Sequence, residues 1–175
     1  DSVGIRQSLV ALGFSSLTAV VAGGFLAAMT GTLERYPGLL VLVPAAIGMR
    51  GNIFGALGSR LATSIHAGTF RMSRRSEALV TQNVLACGVL SLVTAVMLAL
   101  LVKVLSPIFG LDSVIAISDL IVLSVVGAFL SFLVLIAVTL GLAARSAHRG
   151  WDLDDVNAPL VSAVGDVVTL PALFI

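Results

Sequence analysis

The chain has 175 residues, 58% hydrophobic and 11% charged, with net charge +1. Soluble domains carry roughly a quarter charged residues, so this composition and a mean hydropathy of +1.13 exclude a water-soluble domain. They predict an all-α polytopic membrane protein, one unit over residues 1–175, with the lipid bilayer as its solvent.

The basic residues are few and scattered, which excludes a nucleic-acid partner. Cys87 is the single cysteine and lies in an apolar run, so no disulfide framework or thiolate metal centre can be built within one chain. The chain opens at Asp1 and stops inside an apolar stretch at Phe174-Ile175, so both ends read as trimmed. The first apolar run is too long for a signal peptide, and no small-residue cleavage site closes it.

A helix needs about 20 apolar residues to cross a bilayer, and the chain divides into about five such units. In chain order these spans are 8–29, 39–64, 78–104, 120–144 and 156 to the end, joined by shorter, more polar stretches. Outside the second span, Arg6, Arg71, Arg74, Arg75, Arg145 and Arg149 fall on one side and Arg35 and Lys103 on the other. The positive-inside rule places the first group, and the N-terminus, in the cytoplasm. Five crossings leave the C-terminus outside, and the expected location is the plasma membrane.

The second span carries Pro44, then Gly48, Arg50, Gly51, Asn52, Ser59, Arg60, Thr63 and His66. Asn52, Ser59, Thr63 and His66 are seven, four and three residues apart, which brings them onto one helical face. Gly51 and Gly55 have the small-residue spacing that lets helices approach closely. Pro44 and the glycines predict a break or kink near Gly48–Gly51, of the kind that exposes carbonyls to ions in transporters. Hydroxyls such as Ser59 and Thr63 also serve as packing glue between helices.

The fifth span contains Asp166. A carboxylate two to three turns inside a span costs at least about 3 kcal/mol, and such residues line water-filled paths or bind ions. Ser162, Asp166 and Thr169 are four and three apart and share a face. Asp152, Asp154 and Asp155 precede this span, where the helix macrodipole accounts for them; a hydrated cation at the mouth would add a second role. A further acid, Asp119, heads the fourth span.

The donors on offer are oxygens, which favours hard cations such as Mg2+, Ca2+ or Mn2+. Two copies of Asp166 facing each other across a dimer would balance a divalent charge, and so sparse a site suits Mg2+, which keeps most of its waters. Two alternatives stand beside a Mg2+ path. One is an exchanger of Mn2+, Co2+ or Ca2+; the other is a non-transporting assembly module with Asp166 locked to Arg50 or Arg60. Nothing points to an enzyme, since no span holds a nucleophile–base pair and His66 and His148 both sit at cytoplasmic borders.

The run from Tyr36-Pro37 through Pro44, Gly51-Asn52 and Ser59-Arg60-Leu61 resembles the second-span signature of the MgtE-type magnesium transporters and the related solute carrier family 41. Leu153 to Pro159, followed by Gly165-Asp166 and Thr169, is similar to the last-span signature, and Thr30 to Glu34 matches in position. The serine-arginine-leucine form leans toward the solute carrier branch, in which two such units are often fused. The resemblance implies a five-helix unit working as a homodimer, with the ion path between protomers. It also implies that Asp166 is the pore acid holding hydrated Mg2+, that Asn52 lines or shapes the pore, and that Glu34 is a further candidate at the outer side.

Overall fold

In a computed structural model, the structure describes residues 2–70, 79–111, 115–149 and 153–174, with the backbone alone at several helix ends. Among them the order is α1 (Ser2–Ala28), α2 (Thr30–Arg35), α3 (Gly38–His66), α4 (Leu79–Leu105), α5 (Ile117–Arg149) and α6 (Leu153–Phe174), with no strand. The fold is all-α, as the composition requires. Among the described residues four apolar stretches are long enough to cross a membrane: Ser8–Ala28, Gly38–His66, Leu79–Phe109 and Ile117–Ala147.

The fifth expected span is helix α6, whose 22 residues are enough to cross a bilayer by length; among its described side chains the apolar part is Pro159–Ala172, around Asp166. α6 contacts α1, α3 and α5, so it packs against protein on several sides. By contrast, α1 buries only Ala11 and Ala22 among its described side chains and exposes Leu9, Val10, Leu17 and Val20.

The expected break in the second span is corrected. Helix α3 runs unbroken through Gly48–Gly51, with Pro44 inside it. Close packing on α6 holds the helix where isolated glycines would loosen it. The helix ends at His66, and Gly68, at φ +67°, turns the chain. The Phe70 and Thr69 amides donate to the Ser64 carbonyl there, a cap that needs a residue tolerant of left-handed backbone.

Two apolar clusters hold the bundle. One gathers Leu33, Leu39, Leu42, Val43, Val102, Leu120 and Leu170. The other gathers Phe54, Leu57, Leu61, Val80, Leu135, Ala143 and Val161, with the Phe54 and Phe132 rings 6.2 Å apart between centroids. Within a bilayer these side chains leave lipid rather than water, so what they contribute is packing, not transfer from water.

Helices α3 and α6 approach closely at Gly58. A Cβ at Gly58 would overlap the Asn157 carboxamide, and Asn157 is buried. Gly58→Ala is therefore expected to destabilise the purified protein by about 1–3 kcal/mol, as overpacking does. Adding Asn157→Ala empties the clashing space, and the double variant should recover part of the thermal stability lost. Equal losses in the single and double variants would rule out this contact as the cause.

Candidate functional site

The seam begins with the pairing of α3 and α6. Gly58 meets Asn157, and a Cβ at Gly51 would lie 3.7 Å from Ser162 Oγ. Seven residues down α3 thus match five up α6, and the helices run antiparallel. By the same register Asp166, one turn beyond Ser162, lies level with Ile47 and Gly48.

The polar face expected of the second span is present. Asn52, Ser59, Thr63 and His66 are all exposed, together with Pro44, Gly48 and Ala56 on the same side of α3. Thr63 donates to the Ser59 carbonyl at 2.9 Å, so its hydroxyl is already satisfied within the helix. Ser162 is exposed, Asp166 half-buried and Thr169 fully buried. The polar face of α6 therefore runs from open at Ser162 to enclosed at Thr169, whose Oγ1 has no partner. Leu170, beside it, joins the cluster that also contains Leu33 of α2. Glu34, next to Leu33, is exposed at that end of the bundle.

The two arginines that might have locked Asp166 are engaged elsewhere. Arg60 Nη1 donates to Asn83 Oδ1 at 3.0 Å, and Asn83 Nδ2 in turn donates to the Leu79 carbonyl at 2.8 Å. Arg50 is buried and lines a cavity with residues of α4 and α5. Among the described residues Asp166 makes no side-chain hydrogen bond and no ion pair. Its charge stands in a half-buried position with no partner among the described residues.

The remaining acids are peripheral or out of view. Asp119 lies in the first turn of α5 and is exposed, within 3.4 Å of the Ser118 hydroxyl, which donates to it. Asp152 lies outside the described residues, as do the side chains of Asp154 and Asp155, whose backbone forms the first turn of α6. Among the described residues no three His, Cys, Asp or Glu side chains converge as a metal centre. The seam therefore offers a divalent cation one carboxylate per chain plus amide and hydroxyl oxygens, a donor set for a hydrated ion rather than a stripped one.

Sequence reading missed two features. Asn157, buried with its Oδ1 unpaired, sits against Gly58; the cluster of small residues on α3 was the available signal. Ser91 and Ser124, buried near Arg50, had none, because a lone serine in an apolar run carries no periodic mark.

Membrane-length apolar helices around an oxygen-lined seam define a multi-pass membrane protein. The profile of the MgtE family, described as divalent cation transporter, matches residues 43–175, and the chain belongs to that family, one of transporters rather than enzymes. It is 26% identical over 182 residues to solute carrier family 41 member 2 of Xenopus laevis, covering 96% of this chain and 32% of the relative. Against member 3 of Mus musculus the identity is 24%, covering 96% of this chain and 37% of the relative. Human member 2 is 28% identical over 139 residues, 77% of this chain and 24% of the relative. The chain thus spans about a third of the length of the first two of these relatives. No solved structure matches.

If the seam is wetted, cysteines placed on it should react with a small water-soluble thiol reagent. In a Cys87→Ala background, Ser59→Cys and Ser162→Cys are expected to label at least 10-fold faster than Leu57→Cys or Ala163→Cys, whose positions are buried in the bundle. Equal labelling rates would remove the distinction between seam and core.

Proposed function

We propose that this unit transports divalent cations, Mg2+ foremost, along a path lined by α3 and α6 where two copies of the chain meet. The observation that carries the reading is Asp166, half-buried beside the open polar face of α3 and without a partner among the described residues. A charge at membrane depth persists where an ion, water or another chain answers it. A second copy docked on this seam would cover Asn52, Ser59 and Ser162 and bring a second Asp166 toward the first. Two carboxylates balance the charge of one divalent ion, and Mg2+ keeps several waters while touching one or two carboxylates.

The other candidates take places along that path. Asn52, next to the Gly51 that faces Ser162, offers its amide oxygen to the ion's water shell. Gly51 keeps α3 and α6 close at that level, while Ser59 and Thr63 continue the polar face toward the cytoplasm. Asp152, Asp154 and Asp155 at the start of α6 would concentrate cations at the cytoplasmic mouth, and Glu34 would do so at the outer end. Thr169 shapes the path from behind. The arrangement rests on a cytoplasmic N-terminus and an outer C-terminus in the plasma membrane, as the distribution of basic residues expects.

Reconstituted liposomes loaded with a Mg2+ indicator test this reading. Asp166→Asn should lower Mg2+ entry at least 10-fold with folding and dimerisation intact, and Asp166→Glu should keep part of it. Undiminished entry in Asp166→Asn would sink the assignment. Imposed Na+ or H+ gradients in the same vesicles separate a passive path, which ignores them, from an exchanger. Replacing Mg2+ by Mn2+, Co2+ or Ca2+ ranks the cargo.

A further inference from the structure

Arg50 is a buried charge in the bundle, and the cation path does not use it. It is 6% exposed, and twelve residues separate it from Gly38 at the nearer end of α3. At 1.5 Å per residue that is about 18 Å, beyond the reach of an arginine seeking either membrane surface. Its Nη1 is buried with no hydrogen-bond partner. A buried guanidinium without a counter-charge costs several kcal/mol, so something must answer it.

The surroundings narrow what that is. Arg50 lines a cavity of about 20 Å³ between α3, α4 and α5, together with Ser91, Thr94 and Ser124 and otherwise apolar side chains. Among the described residues the lining contains no acid; Asp119 is exposed at the start of α5, and the described part of α6, which carries Asp166, contributes nothing to the cavity. Ser91 Oγ and Ser124 Oγ are both buried without partners. Other helical hydroxyls donate to a carbonyl three or four residues back, as Thr94 does to Leu90 at 2.7 Å and Thr139 to Leu135 at 2.8 Å; Ser106, Ser131 and Thr169 are also buried without partners, but none of them lines the space beside Arg50. Three unsatisfied donor groups from three helices thus border one small space.

We infer that this cavity binds a small monovalent anion of chloride's size, held by Arg50 Nη1 and the hydroxyls of Ser91 and Ser124. The donor set decides the sign: each of the three groups can donate, and only an anion both accepts from them and neutralises the guanidinium. The space admits about one water-sized particle, which suits a small ion of chloride's size. A single water would satisfy the hydroxyls but leave the charge unanswered. The bound anion would act as a fixed pin between α3, α4 and α5, away from the α3–α6 seam.

The test compares thermal unfolding of the purified protein in sodium chloride and in sodium gluconate at equal ionic strength. Chloride should raise the midpoint saturably, by about 5 °C. Ser91→Ala and Ser124→Ala, which remove only a hydroxyl, should each raise the half-saturating chloride concentration about 10-fold, the worth of one hydrogen bond to a charged group. Arg50→Gln should abolish the chloride response, whereas Asp166→Asn should keep it, which separates this site from the cation path. Bromide substituted for chloride should give an anomalous peak within hydrogen-bonding distance of Arg50 Nη1. An unfolding midpoint indifferent to chloride, or a response unchanged in both serine variants, would overturn the proposal and leave a cavity holding water alone.

Discussion

Everything in this bundle depends on how closely α6 can lie against α3. Where Gly58 meets Asn157 the two helices come nearer than any side chain at position 58 would allow, and Gly51 keeps them close again at Ser162. In a bilayer, where lipid is as apolar as leucine, such close van der Waals packing replaces the hydrophobic drive that assembles water-soluble proteins. The approach also has a directional effect: it sets the acid-bearing helix beside the polar face of α3.

Helix α3 is polar in two directions at once, and the structure separates them. One direction, through Asn52, Ser59 and Thr63, opens to the outside of the single bundle. The other, through Arg50, points into the space shared with α4 and α5. The charge of Arg50 is thereby kept off the face that carries Asn52, where it would oppose a passing cation, and Arg60 is turned to Asn83 of α4. Placing the buried charge and the uncharged polar face on different sides of one helix reconciles a buried arginine with a cation path on the same rod.

The all-α architecture and the approximate spans were legible because composition and run length bind directly to bilayer thickness. The face shared by Asn52, Ser59, Thr63 and His66 was legible too, since helical spacing alone decides it. Spacing could not say how deep a residue lies. Ser162, Asp166 and Thr169 share a side of α6 yet pass from exposed to fully buried, because neighbouring helices and α2 close over one end only. The same gap explains the misread break at Gly48–Gly51: Gly51 marks proximity to α6, while Gly48 faces open space in a helix that its neighbours carry through. The direction of Arg50, and the two serines it meets, depended on which neighbours lay opposite, information that no local pattern contains.

The contact between α1 and α6 joins the earliest helix of the unit to the latest. Ribosomal synthesis delivers α1 to the membrane well before its main neighbour exists, and α1 packs on little else besides the short α2. Until α6 emerges, the glycine face of α3 also lacks the helix it is shaped for. Assembly of this unit is therefore a closing step that waits for α6 to be made, and interruption of synthesis before α6 is complete would strand a set of inserted but unjoined helices.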